Sequence, residues 1–147
     1  MLHFEDDKNF TQPPLEVWAK LSDARFLVQC VPDVESVAMS DPGKVVCTIR
    51  PGFAFVRGTL ELTIQVTQAV PNSSAHLQLH TKGIGSTSDV EAALTLTPQG
   101  KGTGLHWSVD IKHLGGLLKA VPQGLVQAAA QKVIADALTA VEGKLGS

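Results

Sequence analysis

Hydrophobic and polar residues alternate along most of the middle of the chain. The clearest stretch is residues 60–67, where four aliphatic side chains alternate with four polar ones. A period of two predicts strands with one buried and one solvated face. Similar alternation, in places weaker, predicts about six further strands, at residues 2–10, 34–39, 45–50, 77–80, 90–96 and 105–112.

A second pattern, with a period near 3.6, follows Pro122 and predicts one long helix over residues 123–142. About 20 residues make a rod of roughly 30 Å, and we expect Gly143 to end it. Its Val- and Ala-rich side indicates either close packing on a sheet or room for a ligand, since small side chains fill little volume. That side carries Val126, Ala129, Ala130, Val133, Ile134, Ala137, Leu138 and Val141.

Two short helices are predicted after the first strand. The Pro-Pro step at residues 13–14 favours a helix start, and Asp23 can cap a second helix over residues 24–28. The expected apolar stripe of the first helix is Leu15, Trp18 and Leu21.

The resulting element order is one strand, two short helices, about six strands and one long helix. Because no helix separates the later strands, the sheet should be antiparallel. We therefore expect an α+β fold of one domain, residues 1–147, in which a curved sheet of about seven strands wraps around the C-terminal helix.

Composition narrows the classes of function. The net charge is −2 and the basic residues are scattered, which gives no electrostatic footprint for nucleic acid. The sequence contains no run of about 18 apolar residues, so we expect no membrane-spanning helix. The polar residues after Met1 argue against a secretory signal. Cys30 and Cys47 lack CxxC spacing and predict buried free thiols. We expect a cytoplasmic protein.

The sequence gives only weak signals for catalytic or metal-binding residues. His76 and His80 share a strand face but lie roughly 13 Å apart, too far to share an ion, and neither HExxH nor paired Cys spacing occurs. There is no GxSxG elbow, and Ser88 beside a glycine-containing turn is typical of turn chemistry. We predict no catalytic residue, metal or cofactor. Trp107, on the inward side of the last strand, is either a core residue or the wall of a ligand pocket.

Several motifs resemble a known family. The segment PPLEVW at residues 13–18, followed by LSD at 21–23, is similar to an opening of the form APPEEVW…L.D. The segment CVPDV at 30–34 is similar to a C(L)PGV turn, with Asp33 where Gly is usual. The pair Gly83–Gly85 and the segment GTGL at 102–105 continue the likeness. Over nearly its whole length the chain resembles the helix-grip fold of the SRPBCC (START-like) superfamily, and most of all the carbon monoxide dehydrogenase G-subunit family.

The resemblance implies a cavity between the sheet and the long helix that holds a hydrophobic ligand. It also implies a partner, because this family is associated with the maturation or membrane recruitment of molybdenum hydroxylases of the carbon monoxide dehydrogenase type. Peripheral membrane contact belongs to the same association. None of the matching motifs is catalytic.

The inward strand positions and the inner side of the helix together predict non-catalytic binding of an apolar or amphipathic small molecule, lipid or quinone-like. Two alternatives stay open: an enzyme of the polyketide cyclase or hydrolase type, and an interaction domain with a filled core. The predicted ligand-binding residues are Phe55, Leu62, Ile64, Leu77, Leu79, Val90, Leu94, Trp107, Val126, Ala130, Val133 and Ile134.

Overall fold

The computed structural model describes residues 2–50 and 58–145. Across these residues the chain forms seven strands, three α-helices and one short 3-10 helix. The strands are β1 Leu2–Phe10, β2 Val34–Asp41, β3 Lys44–Ile49, β4 Leu60–Val70, β5 Ser74–Gly83, β6 Ser86–Gln99 and β7 Gly102–Gly116. The helices are α1 Pro14–Leu21, α2 Ala24–Cys30 and α3 Gln123–Leu145, with the 3-10 helix at Leu117–Ala120.

The strands form one antiparallel sheet in the order β1-β7-β6-β5-β4-β3-β2. Strands β2 to β6 each pair with the next strand along the chain, and β1 pairs with β7. This arrangement confirms the predicted antiparallel sheet, with two short helices after the first strand and one long helix after the last.

The short helices pack over one end of the sheet. Val17 and Leu21 are the buried residues of α1, whereas Leu15 is 63% exposed. The predicted stripe was therefore wrong at Leu15, because the helix is rotated so that Val17 points inward. The Asp23 carboxylate accepts from the Arg25 backbone N–H at 2.9 Å and caps α2 as expected, and α2 continues to Cys30.

Two residues at the ends of elements have positive φ angles, Asp33 after α2 and Gly116 at the end of β7. Asp33 has φ +65°, the left-handed region, at the position where the resembled family usually has Gly. Gly116 has φ +62°, and a Cβ there would lie 1.8 Å from the Gly85 carbonyl oxygen. Only glycine permits this approach, which holds the 3-10 helix close to the β5–β6 turn.

Helix α3 is held at its two ends. Val126 and Val141 are buried, whereas Val133 and Ile134 between them are only half-buried. At the C-terminal end, Lys8 of β1 pairs with Glu142 at 2.8 Å. The predicted helix is confirmed, but it continues through Gly143 to Leu145, so Gly143 does not end it.

Many of the buried side chains belong to two clusters that pack against the inner face of the sheet. One surrounds Trp107 and includes Phe10, Leu21, Leu105 and Val141. The other lies below α2 and is made of Ala24, Val28, Val45, Cys47, Leu62 and Ile64. No helix in the described part of the chain is both long enough and apolar enough to cross a bilayer.

Candidate functional site: an apolar cavity under the long helix

A cavity of about 390 Å³ lies between α3 and the inner face of the sheet. Its floor is made by β4, β5, β6 and β7, and its roof by α3. The end of α2 and the 3-10 helix border it at the sides. Each strand contributes alternate residues, because successive side chains of a strand point to opposite faces.

The predicted ligand-binding residues can be placed in this geometry. Eleven of the twelve border the cavity, and Phe55 lies outside the described residues. Those that border it are Leu62, Ile64, Leu77, Leu79, Val90, Leu94, Trp107, Val126, Ala130, Val133 and Ile134. Their contact with a ligand stays a prediction.

The cavity residues that sequence reasoning missed include Leu114 and Leu118, before and within the 3-10 helix, and two further groups. The first is the end of α2 and the turn after it, whose position over the sheet has no local sequence signal: Leu27, Cys30, Val31 and Pro32. The second is the hydroxyl pair of Thr81 and Ser88, which also borders the cavity. The alternation could have revealed both hydroxyl residues, since Thr81 follows Leu79 by two residues and Ser88 precedes Val90 by two. Ser88, which the sequence placed beside a turn, lies in β6 and borders the cavity.

The cavity exists because a straight helix spans a curved sheet. Val126 and Val141, the buried contacts of α3, are fifteen residues apart, or roughly 22 Å along the axis. Between them the inner side carries the small residues Ala129, Ala130 and Ala137. These side chains are too short to fill the space down to the floor, so the middle of the helix is half-buried and the cavity stays open beneath it.

Polar groups in the lining lie at opposite ends. The hydroxyls of Thr81 and Ser88 hydrogen-bond to each other across β5 and β6, where Ser88 pairs with Leu114 near the end of β7. Trp107 lies opposite Leu94 of β6, near Val141 at the other end of α3. Ser88 and Leu94 are six positions apart on β6, which is roughly 20 Å. The lining between these two ends is aliphatic.

The ionisable groups of the described residues lie almost entirely outside the cavity. Among the described residues that line it, Cys30 is the one with an ionisable side chain. Burial raises the pKa of the Cys30 thiol to about 11, so it is neutral at physiological pH. Its Sγ hydrogen-bonds to the Phe26 carbonyl oxygen at 3.6 Å.

The histidines that have partners lie on the outer face of the sheet. His106 contacts Asp7 at 2.9 Å and Glu5 at 3.3 Å, His3 contacts Asp110, and His80 contacts Asp89. Hydrogen bonds to these carboxylates raise the pKa of His3 and of His106. Within the described residues, no group of three or more His, Cys, Asp or Glu side chains could hold a metal ion.

Comparisons with known proteins agree with this architecture. The profile of the family described as the carbon monoxide dehydrogenase G-subunit (CoxG) matches residues 9–146. No curated protein sequence matches significantly. A conserved protein from Geobacillus kaustophilus is similar in structure, with a TM-score of 0.85 and 23% identity over 98% of this chain and 95% of that one.

More distant structures share the same fold. A START superfamily protein from Mycobacterium smegmatis has a TM-score of 0.71 and 13% identity, over 97% of this chain and 96% of that one. The AHSA1 protein from Silicibacter pomeroyi has a TM-score of 0.67 and 15% identity, over 98% and 97%. At these identities the likeness shows the fold alone, and it confirms the predicted START-like fold.

Proposed function

Because the chain belongs to the carbon monoxide dehydrogenase G-subunit (CoxG) family, we propose that it binds an apolar or amphipathic small molecule, lipid or quinone-like, in the cavity under α3. The observation that carries this proposal is the cavity itself. It has about 390 Å³ of space and an almost wholly aliphatic lining, within the range of roughly 300–1,000 Å³ that is usual for small-molecule sites. An apolar guest gains free energy by leaving water for such a lining.

The composition of the lining supports binding without catalysis. Acid–base chemistry requires a titratable group within reach of the bound molecule, and the described lining offers only the neutral Cys30 thiol. The alternative, an enzyme of the polyketide cyclase or hydrolase type, would be favoured by an inward Arg, Asp or His, and the described lining has none. A filled interaction domain is disfavoured by the open space beneath the middle of α3.

The family membership supports a second, finer part of the proposal. The bound molecule serves a molybdenum hydroxylase of the carbon monoxide dehydrogenase type, for which this protein acts as an accessory factor.

The free thiols of Cys30 and Cys47 support a reducing compartment such as the cytoplasm for this complex. The complex is testable with the purified hydroxylase: size-exclusion chromatography should show co-elution, and separate elution at micromolar concentrations would contradict this part.

Ligand binding itself is tested by thermal unfolding in the presence of a panel of lipids and quinones. A compound at 100 times its dissociation constant adds about 2.7 kcal/mol of stability, which should raise the melting temperature by several degrees. Ala130→Trp fills the cavity from its roof and should abolish that rise.

The matched control is Ala128→Trp, the same change two residues earlier on the same helix. Ala128 is exposed and does not border the cavity, so this variant should keep the full ligand-induced rise. The binding function is wrong if no compound raises the melting temperature of the wild type. The site is wrong if the two variants respond to the ligand equally.

A further inference from the structure

A second, smaller pocket adjoins the apolar cavity near the start of α3. It has about 260 Å³ of space and is bordered by the end of β7, the 3-10 helix and the first turn of α3. We call it the basic pocket, because its lining includes Lys112, His113 and Lys119. Four apolar residues border both spaces, which are therefore neighbours: Ile111, Leu114, Leu118 and Val126.

The basic pocket differs from the cavity in charge. The described residues around the cavity include no Lys, Arg or His, whereas those around the basic pocket include two Lys and one His but no Asp or Glu. Lys119 is exposed and has no ion pair with another described residue. Lys112 lies 3.8 Å from Glu91, which does not border the pocket.

These charges favour an anion in the basic pocket. The side chain of Lys119 is long and flexible, so its ammonium group can reach an anion bound beside it. The first residue of α3, Gln123, also borders the pocket, and the start of a helix carries partial positive charge. The cavity offers no such partner, and burying a charge without a counter-ion is costly.

The residues between the two spaces leave room for movement. Leu118 belongs to the 3-10 helix, in which no residue is buried, and Leu114 is half-buried. Both side chains can therefore change rotamer with little loss of packing. An alkyl chain that passed between them would contact aliphatic side chains on its way into the cavity.

We propose that the ligand is an acidic amphiphile, whose anionic head, a carboxylate or a phosphate, binds in the basic pocket, and whose alkyl chain passes Leu114 and Leu118 into the cavity. The chain then runs beneath the Ala-rich middle of α3. This inference rests on the proposed binding function and adds the class of the ligand and its direction.

A matched pair of probes tests the role of the charge. Decanoate and decan-1-ol have the same chain length and differ in the charge of the head, and both can be measured by displacement of a neutral fluorescent dye such as N-phenyl-1-naphthylamine. The wild type should prefer decanoate. Lys119→Gln should reduce the ratio of the two affinities about fivefold, which is the upper end for an exposed ion pair.

The control variant is Lys101→Gln, which removes the same charge from the turn between β6 and β7. Lys101 is exposed and borders neither the cavity nor the basic pocket, so this variant should keep the wild-type ratio. At an ionic strength of about 1 M, where the screening length is about 3 Å, the preference of the wild type should also fall.

A second measurement locates the head without using affinities. Decanoate labelled with 13C at the carboxyl carbon gives an NMR signal whose pH dependence reports the pKa of the bound acid. In the basic pocket this pKa should lie at or below that of decanoate in water, because nearby cations favour the carboxylate. In the apolar cavity, burial would raise it well above that value.

Decyl phosphate and inorganic phosphate separate the head of a lipid from a free anion. Decyl phosphate should displace the dye and should lose affinity in Lys119→Gln, as decanoate does. Inorganic phosphate at the same concentration should leave the binding of decanoate unchanged. Competition by inorganic phosphate would assign the basic pocket to a free anion and overturn the inference.

The outcomes separate the two proposals. If the ratio of affinities is the same in the wild type and in Lys119→Gln, or if the pKa of bound decanoate is strongly raised, this inference is wrong and the binding function stands. If no probe displaces the dye and no compound in the lipid and quinone panel binds, the binding function fails, and this inference fails with it.

Discussion

At the scale of single residues, Cys30 is a reporter of the cavity. It borders the cavity, whereas the second thiol, Cys47, is completely buried below α2 and does not. Burial raises the pKa of both thiols, that of Cys30 to about 11. Since the thiolate is the reactive form, both should react slowly with thiol reagents in the folded protein.

We predict that Cys30 reacts with a small apolar maleimide far faster than Cys47, and that a bound ligand slows the reaction at Cys30 further. The variants Cys47→Ala and Cys30→Ala isolate the two thiols, and mass spectrometry follows the modification at fixed pH. Protection of Cys30 in Cys47→Ala should scale with ligand occupancy. Equal protection of Cys47 in Cys30→Ala would mean that the ligand only stabilises the whole fold.

The residue scale also shows where sequence reasoning reaches its limit. Trp107 could be placed at the cavity because alternation within a strand is a local property. Its indole N–H is buried without a partner among the described residues, and this depends on neighbours from β1, α1, α2 and α3 that no local pattern brings together. Leu15 was misplaced for a related reason: a short helix has two possible stripes, and tertiary contacts with Val17 decide between them.

At the scale of elements, α3 is packed tightly near its two ends and loosely in its middle. Val141 is buried among Phe10, Trp107 and their neighbours, while Val133 faces the open space of the cavity. A valine side chain therefore contributes more to the free energy of unfolding at position 141 than at position 133. Truncation at Val141 creates a new void, whereas truncation at Val133 only enlarges an existing one.

We predict that Val141→Ala lowers the free energy of unfolding by about 2 kcal/mol, from lost burial plus a cavity term. Val133→Ala should cost less than about 1 kcal/mol in the absence of ligand. Urea unfolding of both variants measures the difference. Similar losses would mean that the middle of α3 is packed as tightly as its end.

The elements themselves were largely predictable, and the reason is physical. Periods of two and 3.6 arise from backbone geometry, so they appear wherever one face is buried. The strand irregularities were not predictable, for example the register shifts between Val66 and Gln68 and between Asp89 and Val90. Such a shift depends on the neighbouring strand and leaves no mark in the strand's own sequence. The end of α2 entered the cavity wall unforeseen because docking of a helix is also non-local.

At the scale of the whole molecule, the pairing of β1 with β7 joins the first strand of the sheet to the last one. On the outer face, histidines and carboxylates bridge these strands: His106 of β7 contacts Asp7 and Glu5 of β1, and His3 of β1 contacts Asp110 of β7. The hydrogen bonds to Asp7 and Asp110 are the main causes that raise the pKa of His106 and His3 above the ordinary 6.5.

We predict that this pairing makes the fold slightly more stable at pH 6.5 than at pH 9. A raised pKa in the folded state means that the contribution is complete below the ordinary value and is lost as the pH rises through the raised value. The effect should be small because the groups are exposed. The melting temperature of the wild type should fall more across this range than that of the double variant H3Q/H106Q. An equal fall in both would assign the pH dependence to other groups.

The β1–β7 register also sets an order of events in folding. Asp7 and His106 are neighbours in the folded sheet but 99 positions apart in the chain, so β1 is synthesised first and finds its partner last. β7 lies between β1 and β6 in the sheet. Until β7 is complete, both β1 and β6 therefore lack a hydrogen-bonding neighbour on that side. Pairing over such a distance is slow, because the entropy of closing a large loop is lost before any stabilising contact forms. The newly made protein therefore passes through a state with an exposed strand and an exposed apolar floor, in which it is most vulnerable to aggregation.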